Sequence, residues 1–254
     1  MSISTNLPHL STQQKPFFSQ TELDTLLSHN LPKHVAIIPD GNRRWAIHHN
    51  EPYITAYTKG AQTLITIALA AKEIGIPVLT IYSFSTENWK RSQQEAEMFL
   101  QLFDTHLSFY AQSLVESDIR LHFIGNTSAL PPFLQKTIEH VTMVTAPGKA
   151  LDIVFALNYG GRDEIVRAIK KVISTQNQDI SEQTISQSLD TAKWPDPDLV
   201  IRTSGEQRLS NFLLWQSSYA ETYTDPTLWI DFSPHNFLSA IKEYQSRTRR
   251  RGGN

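Results

Sequence analysis

The feature that most constrains this chain is a repeated succession. A short apolar run of strand length gives way to a polar loop, and then to a longer segment with helical spacing. The runs are "HVAIIP" (34–39), "VLTIYSF" (78–84), "IRLHFIG" (119–125), "LDIVFALNYG" (151–160), "LVIRT" (199–203) and "NFLLW" (211–215). Between the first two, residues 59–74 place Leu64, Ile65, Ala68 and Leu69 at helical spacing, and "GIP" (75–77) supplies the stop. Ser92 followed by Glu95 is a capping-box signature for a helix reaching about residue 116. That helix carries Phe99, Leu102, Phe103, Leu107, Tyr110 and Leu114 on one side. Further helices are expected over 131–143, 162–175, 181–190 and 234–250, the last with Ser233 as N-cap and Pro234 at its first position. Strands alternating with helices predict an α/β fold with a mostly parallel central sheet flanked by helices.

No internal repeat and no dividing linker is visible, so one catalytic-sized domain is expected over 21–254. Residues 1–20 read as a flexible Ser/Thr/Gln-rich tail, ordered only near Phe17 and Phe18. The tail lacks a basic stretch followed by an apolar core, so it does not read as a secretory signal. No apolar stretch approaches the roughly 20 residues that span a bilayer. A net charge of −2 gives no reason to expect a nucleic-acid partner. The chain has no cysteine, which excludes disulfides, thiolate metal sites and thiol catalysis. The nine histidines show no metal-ligand spacing.

In parallel sheets of this kind, ligands bind outside the carboxyl ends of the strands. The segments that follow them here are "PDGNRRW", "STENWKR", "NYGGR" and "TSGEQRLS", all polar and all containing arginine. In the first, Gly41 and Asn42 can turn backbone N–H groups toward an anion, and Arg43 and Arg44 add fork-shaped donors suited to phosphate. Asp40 in this cationic loop suits Mg²⁺ shared with phosphate; the other reading is a solvated turn in which Asp40 pairs with an arginine. The second offers Ser85, Thr86, Glu87 and Asn88 before Trp89, Lys90 and Arg91, or simply a strand-to-helix loop capped by Ser92. Arg202, Arg208 and Ser210 in one loop between apolar runs resemble a second anion site, or else surface charge. Arg247, Arg249, Arg250 and Arg251 form a basic end that is either solvated or completes a phosphate site across a subunit boundary. Gly-x-Ser-x-Gly, Walker and Gly-x-Gly-x-x-Gly motifs are absent. "DPDLV" (196–200) looks like an aspartyl-phosphatase signature, but its acids precede a strand instead of following one.

Taken together, "HVAIIPDGNRRWA", "LTIYSFSTENWKR", "LNYGGRDEI", "DLVIRTSGEQRLSNFLLWQSSYAE" and "RTRRRGG" closely resemble the cis-prenyltransferase family, above all its bacterial undecaprenyl diphosphate synthases. The motifs come in family order from His34 nearly to the end, and the Asp-Asp-x-x-Asp motif of trans-prenyltransferases is absent. The resemblance implies a parallel α/β sheet, a homodimer, and Mg²⁺-dependent condensation of isopentenyl diphosphate onto an allylic diphosphate, usually farnesyl diphosphate. The product is a long polyprenyl diphosphate such as undecaprenyl diphosphate, a lipid-carrier precursor for cell-wall glycans. On this resemblance Asp40 is catalytic and binds the metal, with Glu221 completing metal binding from the other subunit. Gly41, Asn42, Arg43, Arg44 and Trp45 match the loop that holds the allylic diphosphate. Ser85, Thr86, Glu87, Asn88, Trp89 and Arg91 match the second motif, where Asn88 assists proton removal. Arg202, Arg208, Leu209 and Ser210 match the isopentenyl diphosphate site. A cytoplasmic enzyme, peripheral to the inner face of the membrane that takes its product, is implied.

The residues depart from the family pattern at Pro39, usually Met, and at Arg43, often Gly. Tyr53 and Tyr57 stand where Arg and His are common near the allylic diphosphate, and Arg43 offers compensation. A bulky residue at position 83 closes the family's product tunnel early, so Ser83 implies a medium or long product, with Phe99, Phe103 and Leu107 for a wall. The alternative is a non-catalytic partner subunit of a prenyltransferase complex; such relatives typically lose the Asp-Gly-Asn loop, which this chain keeps. A phosphatase on a similar sheet would need a positioned nucleophile that the sequence does not offer.

Overall fold

The computed structural model describes residues 15–174 and 180–249. In chain order the elements are α1 (Gln20–Leu27), β1 (His34–Ile38), α2 (Asn42–His48), α3 (Tyr53–Ile74), β2 (Val78–Ser85), α4 (Gln93–Glu116) and β3 (Ile119–Ile124). There follow α5 (Pro132–Thr145), β4 (Leu151–Tyr159), α6 (Gly161–Ser174), α7 (Glu182–Ser186), β5 (Leu199–Arg202), β6 (Glu221–Thr224) and α8 (Pro234–Ser246). The strands form one sheet in the order β3-β4-β2-β1-β5-β6, and every neighbouring pair is parallel.

Side chains alternate across the strands, and both faces are covered. Val35 and Ile37 enter one core with α3, α4, α5 and α8, while Ala36 and Ile38 enter a second with Val154, Val200 and Phe212. All nine residues of β4 are buried. From β1 the chain lays down β2, β3 and β4 on one side, where β4 sits between β2 and β3, and later β5 and β6 on the other. The strand order therefore reverses between β1 and β5, and the crevice at their carboxyl ends is the topological switch point.

One expected strand is absent. Residues 211–215 form turns, with Ser210 (φ 51°), Asn211 (φ 65°) and Leu213 (φ 42°) in the left-handed region, which a strand cannot contain. Their apolarity has another cause: Phe212 and Leu213 are fully buried in the second core. The sixth strand is instead "ETYT", a short edge strand without an apolar run. Arg202 accordingly ends β5 and is not a loop residue.

Other boundaries move for local reasons. α3 begins at Tyr53, earlier than the apolar spacing indicates, after Pro52 in an extended conformation. It ends where Gly75 (φ 90°) bonds back to the carbonyls of Ala71 and Lys72. α4 keeps its expected span, with Ser92 Oγ accepting from the Glu95 N–H, but the Glu95 carboxylate turns to Tyr57 and Arg91 and does not close the capping box. α7 is a single short turn of helix, and α8 stops at Ser246 because Arg247 leaves in an extended conformation to pair with Glu221. Phe18 is buried, and the backbone N–H groups of Phe17 and Phe18 donate to the Glu73 carboxylate at 2.9 and 3.1 Å. Residues 1–14 of the expected tail, and Arg250 and Arg251 of the basic end, lie outside the described residues.

β2 carries a bulge beside β4. Tyr82 opposes Ala156 and Phe84 opposes Leu157, so Ser83 is the extra residue.

Candidate active site

The site is built from the chain's exits at the switch point. Asp40 follows β1 by two residues, its N–H accepted by Ile38 O at 2.9 Å and by Thr203 Oγ1 at 2.8 Å, while the Thr203 hydroxyl donates to Asp40 O at 2.7 Å. Thr203 thereby clasps the two strand ends together. Gly41 then takes φ 111°, and a Cβ there would stand 2.9 Å from Leu228 Cδ2, so the position needs glycine for conformation and for room. α2 starts at Asn42 and places Arg43 and Arg44 on the crevice.

Asp40 and Arg202 meet across the crevice at 2.8 Å, and Arg44 Nη2 lies 3.2 Å from the other carboxylate oxygen. Burial works to raise the Asp40 carboxyl, but the hydrogen bond and charge of Arg202, with Arg44 behind it, outweigh burial and hold it below the usual carboxylate range. The buried Arg202 also donates to Ser210 Oγ at 2.8 Å and to the Arg208 carbonyl. Glu206 pairs with both Arg44, at 3.3 Å, and Arg208. Of the two sequence readings of Asp40, the pairing with arginine is seen, and it lies inside a cleft.

That cleft is a cavity of about 740 Å³. Its mouth brings together Asp40, Gly41, Asn42, Arg43, Arg44, Ser85, Glu87, Asn88, Arg91, Arg202, Arg208 and Ser210. The far wall is apolar and includes the expected Phe99, Phe103 and Leu107 of α4, with Ile81 and Phe155 from the sheet. The bulged Ser83 also lines it. The buried His106 sits on this wall, and desolvation pushes its imidazole down to about 4, so it is neutral near pH 7.

Trp45, Thr86, Trp89, Leu209 and Glu221 do not line the cavity. Trp45 is buried against Ala56, stacks on His49 and donates to Asp231 at 3.1 Å, so in this chain it anchors α2. Trp89 Nε1 donates to Asn158 Oδ1 at 2.8 Å and its ring meets Phe84 edge-on, tying the β2 exit to β4. Thr86 donates to Glu87 at 3.3 Å, and Leu209 packs on the second core. Glu221 opposes Leu199 at the amino end of β5, whereas Arg202 ends that strand at the mouth. Within one chain Glu221 pairs with Arg247 at 2.8 Å and stands apart from Asp40.

Among the described residues, no cluster of three or more His, Asp or Glu side chains could hold a metal alone. The donor set nevertheless fits Mg²⁺ brought by a diphosphate, because that ion takes one or two carboxylates and fills its shell with phosphate oxygens and water. Asp40 is ionised, and each of its oxygens keeps a lone pair beyond its arginine partner.

A network that the sequence did not disclose lies beside the mouth. Tyr57 donates to Glu95 at 2.9 Å, Arg91 donates to Tyr57 Oη at 3.0 Å and to Glu95 at 3.2 Å, and Arg43 lies 3.7 Å from Glu95. The Arg43 guanidinium stands 5.1 Å from the centre of the Tyr53 ring. Desolvation pushes the Tyr57 phenol up to about 12. The signal available was the i, i+4 spacing of Arg91 and Glu95, hidden behind the capping-box pattern of the same glutamate.

A charged mouth at the switch point, opening into a hydrocarbon-walled cavity of an α/β fold, has the chemistry to suit a ligand with an anionic head and an apolar chain. The comparisons with known proteins make the class specific. The chain belongs to the cis-prenyltransferase family: the family model described as "Putative undecaprenyl diphosphate synthase" matches residues 38–252. Isoprenyl transferase of Chlamydia caviae is 48% identical over 237 residues, covering 88% of this chain and 93% of that protein. Isoprenyl transferase of Staphylococcus haemolyticus is 44% identical, covering 91% and 92%. Among solved structures, lavandulyl diphosphate synthase from Lavandula x intermedia in complex with dimethylallyl diphosphate matches with a TM-score of 0.83 at 36% identity, covering 87% of this chain and 98% of that one. A probable undecaprenyl diphosphate synthase from Campylobacter jejuni matches with a TM-score of 0.76 at 35% identity, covering 88% and 99%. The chain is a prenyltransferase by these relationships. No helix among the described residues is long and apolar enough to cross a membrane.

Proposed function

We propose that this chain elongates prenyl diphosphates in the cis configuration, condensing isopentenyl diphosphate units onto an allylic diphosphate, farnesyl diphosphate above all, to give a long product such as undecaprenyl diphosphate. The observation that carries the reading is the continuity of the arginine-lined mouth at Asp40 and Arg202 with the apolar wall of α4 in one cavity. A diphosphate head and a hydrocarbon tail need these two environments side by side.

In each condensation the allylic carbon–oxygen bond breaks, the alkene of isopentenyl diphosphate bonds to the carbon released, and a proton leaves. Arg43 and Arg44, preorganised on α2, stabilise the departing diphosphate. Mg²⁺, held by Asp40 and the diphosphate, would supply further charge neutralisation there. Arg202, Arg208 and Ser210 hold isopentenyl diphosphate, so that the attacking alkene needs only orientation. Asn88 Oδ1 accepts the Ser85 N–H at 2.9 Å and has a second lone pair for the leaving proton or a bridging water. The apolar wall takes the growing chain.

A homodimer in which Glu221 serves the partner's metal, a cytoplasmic location with peripheral membrane contact, and a role in making the carrier for cell-wall glycans complete the proposal. Purified protein incubated with Mg²⁺, labelled isopentenyl diphosphate and farnesyl diphosphate should yield labelled products well beyond fifteen carbons. The D40A variant should keep its fold by circular dichroism and lose turnover. Absence of incorporation by the unaltered protein would favour a non-catalytic partner subunit instead, and retained D40A activity would remove Asp40 from the metal site.

A further inference from the structure

The stretch "NYGGR" (158–162) has no task in the mechanism above, and its two glycines sit where β4 turns into α6. A Cβ on Gly160 would stand 2.6 Å from Thr86 Oγ1 and 2.7 Å from Asn211 Nδ2, and one on Gly161 would stand 2.9 Å from Leu214 Cγ and 3.1 Å from Asn211 O. Neither glycine has a positive φ, so what the position requires is room. Asn211 fills that room. Its carbonyl accepts the Gly161 N–H at 2.7 Å, its Oδ1 accepts the Arg162 N–H at 3.0 Å, and its Nδ2 donates to Glu87 Oε1 at 2.9 Å. Asn211 thus ties three segments at one point: the exit of β2 with Glu87 and Asn88, the turn into α6, and the β5–β6 connection with Arg208 and Ser210.

We propose that Asn211 is a positioning residue that sets the spacing between the Arg208–Ser210 segment and the Ser85–Asn88 segment. The inference rests on the reading of the first as the isopentenyl diphosphate seat and the second as the proton-accepting side. Arg202 and Tyr82 already hold Ser210, through its hydroxyl at 2.8 Å and its carbonyl at 3.3 Å. Asn211 adds the lateral link to Glu87. Asn211 also borders the cavity, but its Oδ1, its carbonyl and one Nδ2–H are bonded to the protein, and those bonds carry the positioning role. The left-handed backbone at Ser210 and Asn211 aims the two side chains apart, one into the mouth and one at Glu87, a conformation that asparagine tolerates better than most residues.

The N211D variant tests this, because it keeps Oδ1 for Arg162 and replaces the donor facing Glu87 by an acceptor. The expected result is a KM for isopentenyl diphosphate raised, and a kcat lowered, each by about tenfold, the scale of a lost hydrogen bond to a charged group. The KM for the allylic diphosphate should stay unchanged. The acid limb of the kcat profile should move to higher pH, since two facing carboxylates hold a proton more tightly. In the E87Q background N211D should cost less, because the Gln amide can donate to the new carboxylate. Amide hydrogen exchange in 206–214 should quicken in N211D, a readout that needs no turnover. Unchanged kinetics, or exchange in 206–214 as slow as in the unaltered protein, overturns the inference. If the unaltered protein fails to incorporate isopentenyl diphosphate, the proposed function falls, and the exchange measurement still decides the role of Asn211.

Discussion

Arg43 is the residue at which the resemblance to the family predicts the most consequential departure. If Tyr53 and Tyr57 replace a cationic and a titratable donor as the resemblance implies, Arg43 brings a guanidinium to the same cavity that Tyr57 lines. Its position is not free: the Tyr53 ring lies beneath it and Glu95 beside it. Hydrogen bonding to Tyr53 outweighs the cost of burial and, with a lesser contribution from the charge of Glu95, holds the guanidinium protonated more firmly than usual. Under the proposed function, R43G should raise the KM for the allylic diphosphate by about tenfold, as loss of one charge-assisted contact implies. The KM for isopentenyl diphosphate should not move. Equal allylic KM values for the two proteins would show that Arg43 does not stand in for the missing donors. Such residue-level compensation was visible in the sequence as a substitution pattern. The clamp on Arg43 was not, because Glu95 lies on a different helix.

At the scale of elements, the bulge in β2 matters most. Ser83 is the extra residue there, offset one step later by Asn158 on β4, and it lines the cavity with the α4 wall. A bulky side chain there would meet the growing hydrocarbon. S83F should shorten the product by several isoprene units while leaving the first condensation intact, as read by chromatography of labelled products. An unchanged product length would place the limiting contact elsewhere on the wall. The helices α4 and α8 and the strands β1 to β5 were legible in their apolar spacing and their caps. The sixth strand was not, because an edge strand needs no apolar run, and "NFLLW" supplied a false one. That run is apolar because Phe212 and Leu213 plug the second core, while Asn211 bends the backbone around the glycines at the start of α6.

For the whole molecule, two buried histidines contribute to the response to acid. His34 begins the central strand β1, where its Nδ1 donates to Pro195 O at 2.7 Å and its Nε2 accepts from Thr80 Oγ1 at 2.7 Å. Burial pushes the imidazole down to about 4, and His106 on the cavity wall behaves alike. The unfolded chain protonates them near pH 6.5, so between 6.5 and 4 it binds more protons than the folded chain, and stability falls as pH drops through that window. The full effect for His34 is about 3 kcal/mol, of which most is spent by pH 4.5. Thermal melts at pH 7 and pH 5 should show a drop that is smaller in H34Q, whose baseline stability is lower; equal drops would acquit His34. The convergence of the polar loops on one edge was legible from the strand-end rule, since every strand is parallel. The pairing of particular loops was not, because it depends on the strand order that puts β5 beside β1.

Glu206 gives the mouth a property of its own. Its single negative charge is shared between Arg44 and Arg208, so with Asp40 it offsets part of the positive charge of the three arginines there. Under the proposed function, arrival of a diphosphate would be an exchange of anions in which the outgoing one remains tethered to the same loop. A tethered competitor acts at an effective concentration in the millimolar range or above. A ligand with several linked phosphate oxygens can displace it. Under the proposed function the carboxylate would act as an internal filter, favouring polyvalent heads over single small anions.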